Sequence, residues 1–410
     1  MKWETARLGE LIDVKHGFAF KGEFFADSGD LVLLTPGNCD EAGGLKLRAD
    51  KEKFYSGEFP DEYLLHQGDM LIVMTDLVGT APVLGGAFLI PEDDRYLHNQ
   101  RLGLVTVTEA SRLDKGFLYW LLNSNEYRGQ VRGSASGATV RHTSPGRVKN
   151  VTVRLPPDLA SQREIAERLF AYDNLIDNNR RRIKLLEDSV RLLFDEWFVR
   201  LRFPGYEHMR ITNGVPEGWS REQLGELADL QLGKMLDQKK NKGDLMPYLA
   251  NVNVRWGDID LHELREMRFE DAELDRFGLK YGDIVMCEGG EPGRCAIWKD
   301  QLPRMMIQKA IHRIRAHADV SYLYLYRRLR EMAQSGQLAR LFTGATIKHL
   351  PREKLELVTL DVPPARLMGH FAEIVDPFER QIALLESANR YALKARDLLL
   401  PRLMSGELTV

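Results

Sequence analysis

The most constraining feature of this 410-residue sequence is an internal repeat that covers most of its length. Three motifs occur in both halves in the same order: Leu-Gly-Glu-Leu at 8–11 and 224–227, Gly-Ala-Thr with the three residues after it at 137–142 and 344–349, and Pro-Pro at 156–157 and 363–364. A spacing of about 200–216 residues is far longer than the unit of a solenoid. Each repeat is therefore expected to be a whole domain followed by a helix.

Hydrophobic patterns predict a mixed domain in each repeat. Buried strands are predicted by apolar runs at 69–74, 102–107 and 151–155 in the first repeat and at 283–286, 311–315 and 358–362 in the second. The aromatic-rich runs at 117–122 and 322–326 are expected to be helices that pack on the sheet. Each Pro-Pro pair ends its domain, because proline cannot donate a hydrogen bond to a strand ladder.

The domain boundaries follow from these patterns and from turn residues after Pro204, such as Asn213-Gly214 and Gly218. We predict a first domain at 1–157, a first spacer helix at 158–204, a linker at 205–218, a second domain at 219–364, and a second spacer helix with a C-terminal tail at 365–410.

The segment after Pro157 has the clearest helical pattern in the chain. Its apolar residues alternate at steps of four and three over about five heptads, which is typical of a coiled-coil seam. The seam positions are Ile165, Leu169, Tyr172, Ile176, Asn179, Ile183, Leu186, Val190, Leu193 and Trp197. A polar seam residue such as Asn179 usually fixes register or orientation. An ordinary amphipathic helix that faces a core is the alternative interpretation.

A second seam follows the second Pro-Pro pair. Its positions are Phe371, Val375, Phe378, Ile382, Leu385, Asn389, Ala392 and Leu399. Pro377 is expected to start or kink this helix. The two seams most simply bury each other, and the pairing is antiparallel because one helix leaves the first domain while the other returns to it. The predicted fold class is α+β: two similar α/β-mixed domains separated by two long helices in an antiparallel coiled coil, with pseudo-twofold symmetry.

Several classes of protein are excluded by composition. No apolar run reaches about 18 residues, so no membrane span is expected, and residues 1–5 have no apolar signal-peptide core. The three cysteines, Cys39, Cys287 and Cys295, lack a C-x-x-C spacing, so neither a disulfide framework nor a zinc cluster is expected. We predict a cytoplasmic protein.

The net charge of −3 conceals a strongly basic segment. Residues 127–157 contain no Asp or Glu but carry Arg128, Arg132, Arg141, Arg147, Lys149 and Arg154. Such cations could neutralise several phosphates, and duplex DNA is the commonest nearly twofold partner for a pseudo-twofold protein. A solvated basic surface is the alternative, and the second repeat has a more diluted version of the segment.

Catalytic motifs are missing from the sequence. Leu155 and Val362 precede the Pro-Pro pairs, which therefore differ from the tetrapeptide of amino-methyltransferases. The sequence has no glycine-rich fingerprint for S-adenosylmethionine or a dinucleotide, no P-loop, and no histidines at metal-binding spacing. We predict no enzymatic activity, metal or cofactor for the chain by itself.

The order of the repeated motifs resembles the specificity subunits of type I restriction–modification systems. Each repeat runs from Leu-Gly-Glu-Leu through Gly-Asp (68–69, 282–283) and Asn-Gln or Ile-Gln (99–100, 307–308) to Gly-Ala-Thr, Pro-Pro and a long helix. The start of the first helix at 156–166, the Leu-Leu-Glu motifs at 185–187 and 384–386, and the endings at 203–205 and 403–408 also match. The second helix departs from the pattern, because residues 363–371 lack the usual Glu-Gln and Pro377 interrupts it.

The resemblance implies a non-catalytic subunit that recognises DNA. Each variable domain would read one half of an asymmetric, bipartite site in double-stranded DNA. The helices would set the spacing and dock two methyltransferase subunits, which bind S-adenosylmethionine and methylate adenine. Restriction subunits, which use ATP and Mg, would join this core.

Candidate DNA contacts fall into two groups. Phosphate contacts are expected from the Gly-Ala-Thr turns and the cations beside them: Thr139, Arg141, His142, Arg147 and Lys149, and Thr346, Lys348 and His349. Base contacts are expected from polar side chains on loops: Lys15, His16, Lys21, Asn38, Thr75 and Asp76 in the first domain, and Gln231, Lys234, Gln238, Lys239, Asn251, Asn253, Arg255, Glu288, Glu291 and Arg294 in the second. A purely structural turn is the alternative for each Gly-Ala-Thr.

Three other functions compete with this interpretation. The chain could serve a system that only methylates, or one in which the subunits are fused. It could be a fused methyltransferase or nuclease, against which the missing motifs argue. It could also be a coiled-coil adaptor that binds only proteins.

Overall fold

The computed structural model describes residues 3–48, 51–212, 214–237, 241–262 and 264–408. The chain forms two compact units: unit 1 comprises Met1–Asn178 with Ala388–Val410, and unit 2 comprises Asn179–Ser387. Each unit therefore contains one repeated domain and one part of each long helix. The boundaries predicted from the sequence assign the helices to neither domain, and they stay predictions.

Unit 1 is built on an antiparallel central sheet in the order β2–β11–β7–β9. A smaller sheet has the order β3–β5–β4–β10–β6, and β1 pairs with β13, so that the end of the domain closes on its beginning. The strands are β1 (Glu4–Arg7), β2 (Ile12–His16), β3 (Phe25–Ala26), β4 (Val32–Leu33), β5 (Phe54–Tyr55), β6 (Leu64–Leu65), β7 (Met70–Val73), β8 (Thr75–Asp76), β9 (Ala87–Leu89), β10 (Tyr96–Leu97), β11 (Leu102–Val107), β12 (Arg141–His142) and β13 (Thr152–Leu155). The helices are α1 (Lys115–Leu122), α2 (Asn125–Ser134), α3 (Pro145–Lys149) and the first part of α4 (Leu159–Phe194).

Unit 2 repeats the four-stranded central sheet and the closing strand pair, while its smaller sheet has three strands. Its central sheet has the order β17–β23–β20–β21, its smaller sheet the order β19–β18–β22, and β16 pairs with β24. The strands are β14 (Ile211–Thr212), β15 (Val215–Pro216), β16 (Ser220–Gln223), β17 (Ala228–Leu232), β18 (Asp244–Leu249), β19 (Arg265–Phe269), β20 (Ile284–Cys287), β21 (Cys295–Ile297), β22 (Met306–Ile307), β23 (Ile311–Ala316) and β24 (Thr359–Val362). The helices are α5 (Leu224–Leu227), α6 (Asp271–Phe277), α7 (Tyr322–Gln334), α8 (Arg352–Glu356) and part of α9 (Ala365–Met404). The α+β class and the repeated domain are confirmed.

Each unit has a core between its central sheet and its helices. In unit 1 the sheet packs on α1 and α2, and Ile165 and Leu169 of α4 join the same cluster. In unit 2 the equivalent cluster takes in α7, Phe194 of α4 and Phe371 of α9. Burial of one such side chain stabilises the fold by about 1.5–3 kcal/mol. The long helices are thus part of the domain cores.

The long helices run antiparallel. In unit 1, Arg396 Nη1 lies 2.6 Å from Asp173 Oδ1, and in unit 2 the ring centroids of Phe194 and Phe371 lie 6.0 Å apart. Residue numbers therefore rise along α4 as they fall along α9. The expectation that α9 could start at Pro377 is wrong, because the helix begins at Ala365 and continues through the proline.

Candidate nucleic-acid interface

The Gly-Ala-Thr motif forms the same short hairpin in both units. We call Ser136–His142 hairpin 1 and Thr343–His349 hairpin 2. In hairpin 1, Ser136 N donates to His142 O at 2.9 Å and the reverse bond measures 2.8 Å; the equivalent distances in hairpin 2 are 2.8 and 2.9 Å. The residues at the tips, including Thr139 and Thr346, are exposed.

Glycine is required at the first position of both motifs. Gly137 has a φ of +92° and Gly344 a φ of +89°, a backbone conformation that other residues rarely adopt. A Cβ atom at these positions would lie 2.0 Å from Val140 O and 2.1 Å from Ile347 O. The repeated glycine is therefore explained by the hairpin, which gives each motif a definite structural role.

A histidine ties each hairpin to the residues that follow one inner strand of the central sheet, β7 in unit 1 and β20 in unit 2; we call these two strands the central strands. In unit 1, His142 Nδ1 lies 3.0 Å from Thr75 Oγ1. In unit 2, His349 Nδ1 lies 3.0 Å from Glu288 Oε2. The backbone adds Thr143 N to Met74 O at 2.9 Å in unit 1 and the equivalent Leu350 N to Glu288 O at 2.8 Å in unit 2. The same anchor is thus built with a neutral partner in one unit and an acidic one in the other.

The cations around hairpin 1 differ in how much of their charge is compensated. Arg141 Nη2 donates to Arg132 O at 2.8 Å, and Arg147 Nη1 donates to Ser136 Oγ at 2.8 Å. These acceptors carry no net charge, so neither of these hydrogen bonds pairs a guanidinium group with an anion. Lys149 Nζ instead pairs with Asp13 at 2.8 Å, and this hydrogen bond lowers the pKa of the Asp13 carboxyl. Arg141 and Arg147 are therefore the stronger candidates for phosphate.

Hairpin 2 is more apolar at its tip. Thr346, Ile347 and Lys348 are exposed, and His349 is half-buried. The short helix that follows carries Arg352 and Glu356, which pair at 3.4 Å. Lys348 is accordingly the side chain of hairpin 2 most available for a phosphate.

Several predicted base contacts are buried and hold loops in place. Asn38 Oδ1 accepts from Thr35 N at 2.9 Å, and Asn253 Oδ1 accepts from Ala250 N at 3.0 Å, so the two asparagines fix equivalent turns. Lys234 is buried and lies 2.6 Å from Glu273 Oε2. Thr75 and Asp76 are buried as well. For these residues direct base contact stays a prediction. In the structure they are buried, and their hydrogen bonds and ion pairs hold the surrounding loops in place.

The remaining candidates are exposed or half-buried, and some of those in unit 2 form one polar cluster. In unit 2, Arg294 Nη1 lies 2.6 Å from Glu291 Oε2, Trp256 Nε1 donates to Glu291 Oε1 at 2.8 Å, and Asn251 Nδ2 donates to Gly289 O at 3.2 Å. The others are the exposed His16, Lys21 and Arg255 and the half-buried Lys15 and Gln231. Lys15 pairs with Glu62 at 2.6 Å, and Arg255 with Asp260 at 3.3 Å. Gln238 and Lys239 lie outside the described residues.

An exposed apolar pair beside hairpin 1 did not follow from the sequence. Leu77 and Val78 are 59% and 52% exposed. They directly follow Asp76 in the loop between the central strand and the edge strand β9. In the sequence they prolong an apolar run and resemble a strand. In the structure the buried Asp76 carboxylate accepts from Val78 N and Val83 N, and the loop held in this way exposes both apolar side chains.

The coiled-coil positions predicted from the sequence are all buried or half-buried in the structure. The buried ones are Ile165, Leu169, Ile176, Asn179, Val190, Trp197, Phe371, Val375, Ile382, Leu385, Asn389 and Ala392, and the half-buried ones are Tyr172, Ile183, Leu186, Leu193, Phe378 and Leu399.

A second row of apolar residues on each long helix faces away from the seam. Leu185 and Leu192 on α4 are exposed, as are Leu384, Tyr391 and Leu398 on α9, all at intervals of seven. Leu185 and Leu384 are both the first leucine of a Leu-Leu-Glu motif. The two helices thus carry equivalent exposed rows.

Among the residues that the structure describes, no group of His, Cys, Asp and Glu is placed to hold a metal ion. None of the helices they form is long and apolar enough to cross a membrane.

The chain is similar to specificity proteins of restriction systems. The family described as type I restriction modification DNA specificity domain matches residues 1–188. The EcoBI specificity subunit of Escherichia coli is 24% identical over 76% of this chain and 65% of its own length. The MjaIX specificity subunit of Methanocaldococcus jannaschii is 23% identical over 72% of this chain and 69% of its own length.

The fold has a solved counterpart. The crystal structure of the S subunit of a type I restriction–modification system from M. genitalium matches with a TM-score of 0.60 and 14% sequence identity, over 98% of this chain and 96% of that chain. At this identity the likeness concerns the fold. The family match over residues 1–188 and the two sequence relatives agree: the chain is similar to the specificity subunits of type I restriction–modification systems.

Proposed function

We propose that this chain is the non-catalytic subunit that recognises a DNA sequence for a type I restriction–modification complex. One observation carries the proposal: each unit presents the same exposed Gly-Ala-Thr hairpin, anchored by a histidine to the central sheet. Backbone N–H groups, a threonine hydroxyl and nearby cations suit a phosphate, which positions a protein without reading sequence. The repeated hairpin therefore supports a shared backbone contact on two DNA segments.

Sequence would be read by the surfaces around the hairpins, which differ between the units. Unit 1 has the neutral anchor Thr75 and the apolar pair Leu77 and Val78, whereas unit 2 has Glu288 and the cluster of Glu291 and Arg294. Unlike side chains in the same fold are what a bipartite, asymmetric target requires. Each unit would read one half.

The long helices would set the spacing of the two half-sites and dock the methyltransferase subunits. α4 has 36 residues and α9 has 40, which corresponds to about 54–60 Å at about 1.5 Å per residue. Exposed apolar side chains at intervals of seven on a helix can pack against the apolar face of a partner helix. Since α4 and α9 carry equivalent rows, two copies of one partner would bind.

The enzymatic steps would belong to these partners. The methyltransferase subunits would bind S-adenosylmethionine and methylate adenine, and restriction subunits, where present, would use ATP and Mg. This chain would contribute the choice of site. A system that only methylates is compatible with the same residues.

DNA binding by the purified complex with its methyltransferase tests the reading role. Duplexes would carry the intact target, a scrambled first half, or a scrambled second half. We expect either scrambled half to weaken binding by several orders of magnitude, since specific and non-specific binding typically differ by about 10³–10⁷. Equal binding to all three duplexes would refute sequence reading, and methyl transfer by the chain alone would refute the non-catalytic role.

Docking is tested by removing the exposed row. Leu384→Ser with Tyr391→Ser should reduce capture of the methyltransferase while leaving the fold intact, because both side chains are exposed. Leu357→Ser is the matched control, since Leu357 is 63% exposed in unit 2 but lies outside the long helices. Unchanged capture by the double variant would contradict docking through this row.

A further inference from the structure

The loop at 77–83 of unit 1 holds two apolar side chains away from the core. The buried Asp76 carboxylate accepts a hydrogen bond from Val78 N at 3.0 Å and another from Val83 N at 2.9 Å. Ala81 N donates to Val78 O at 2.9 Å, and Arg128 Nη2 donates to Pro82 O. These bonds fix the loop from beneath, so the exposure of Leu77 and Val78 is a built feature of the surface.

This loop lies directly beside hairpin 1. Strand β8 pairs with β12, which brings Asp76 opposite Arg141 and Thr75 opposite His142. A Cβ atom on Gly79 would lie 3.5 Å from Ala138 O at the hairpin tip. The apolar pair therefore shares a surface with the hairpin that we assign to phosphate.

The charges around the pair indicate what could cover it. Residues 77–91 carry no charged side chain, and residues 127–157, which include hairpin 1, carry cations without Asp or Glu. A partner must then combine negative charge with a small apolar group. In the major groove of DNA, the one apolar group on a base edge is the 5-methyl of thymine, and it lies between two phosphate backbones.

The equivalent loop of unit 2 has a different character. Gly289 and Gly290 take the positions after the central strand, and Glu291 is held by Trp256 and Arg294 at 2.8 and 2.6 Å. No apolar pair stands there among the described residues 289–294. The apolar contact would therefore be confined to one half of the target.

We propose that Leu77 and Val78 contact the 5-methyl group of a thymine in the half-site read by unit 1. The proposal rests on the DNA-reading function proposed above and deepens it by naming one base feature and the residues that select it. Burial of one methyl group corresponds to about a fourfold change in affinity, from about 0.8 kcal/mol. Thr75 and Asp76 act as positioning residues for this contact.

Replacement of thymine by deoxyuridine tests the proposal, because deoxyuridine lacks only the 5-methyl group. Each thymine of the bipartite target would be replaced singly, and binding measured for the complex of the chain with its methyltransferase. We expect about fourfold weaker binding at one or more positions within one half-site. The double variant Leu77→Ala and Val78→Ala should bind the thymine and deoxyuridine duplexes equally.

Leu245→Ala is the matched control, since Leu245 is 55% exposed but lies in unit 2. It should keep the wild-type response to deoxyuridine. The proposal is overturned if replacement of no thymine weakens binding. It is also overturned if the double variant still binds the deoxyuridine duplex more weakly than the thymine duplex. A complex that binds all duplexes without sequence preference overturns the reading function itself, which separates the two failures.

Discussion

Glu288 Oε2 lies 3.0 Å from Nδ1 of His349 and joins hairpin 2 to the end of the central strand β20. At the equivalent place in unit 1 the hydroxyl of Thr75 lies 3.0 Å from Nδ1 of His142. The two hairpins therefore depend on different side chains for the same position. A substitution at one of these side chains should therefore disturb the hairpin of its own unit and leave the other hairpin unchanged.

Glu288→Ala and Thr75→Ala should each disturb one half-site only. Loss of the side-chain partner loosens the hairpin, so contacts around it weaken while the other unit keeps its geometry. Binding competition with duplexes degenerate in one half at a time would measure this. A loss of preference in both halves from either single variant would contradict separate reading.

Lys348→Met should weaken DNA binding by a similar factor on all sequences and reduce its salt dependence. Loss of one phosphate contact lowers the slope of log K against log salt by about 0.9. Lys280→Met is the control, since Lys280 is also exposed in unit 2 but lies 3.7 Å from Asp275. Equal slopes for wild type and Lys348→Met would place this lysine away from the backbone of DNA.

Phe371→Ala should destabilise unit 2 severely. The Phe371 ring is fully buried, with its centroid 4.9 Å from that of Phe198 and 5.9 Å from that of Trp197. Truncation of such a residue costs about 3–5 kcal/mol, measurable as a lower midpoint of chemical denaturation. Leu384→Ala, at an exposed position of the same helix, should change the free energy of unfolding by less than about 0.5 kcal/mol. Similar losses from both would contradict the assignment of the seam.

The stability of unit 2 should fall as pH rises from about 4.5 to about 7. Burial raises the pKa of Glu386 from its usual 4.5 to about 7, and Lys299, 3.6 Å away, offsets this only in part. The folded state therefore keeps a proton that the unfolded state has lost, and each unit of pKa difference corresponds to about 1.4 kcal/mol.

Glu386→Gln removes this titration. Relative to wild type, the variant should gain stability at pH 8 compared with pH 4.5, as measured by denaturant unfolding at both values. The same stability difference at both pH values would contradict the raised pKa. Glu187, whose pKa is also raised by burial and whose charge contributes to the raised pKa of Glu386, is present in both proteins.

The framework of the fold could be predicted from the sequence because its signals are periodic and repeated. The apolar run before Thr75 and the alternation at 311–315 specify strands of the central sheets. The steps of three and four after Pro157 specify α4. The predicted start of the second helix at Pro377 is wrong, because Phe371 and Val375 pack in the core of unit 2 and the helix continues across the proline.

The reading surface could be predicted less well, because residue type does not reveal where a loop side chain points. Asn38 lies in a turn and Asp76 ends the short strand β8, yet both polar side chains turn inward and accept backbone N–H groups. Asn and Asp do this readily in turns. Leu77 and Val78 show the reverse case, in which a fixed loop turns apolar side chains outward.

Methylome sequencing of a host with and without this gene tests the central claim most directly. We predict that one bipartite motif methylated at adenine disappears when the gene is deleted, and that it returns when the wild-type gene is restored. A methylome that is unchanged by the deletion, in a host that expresses the gene and its methyltransferase, would contradict the claim that this chain selects the site.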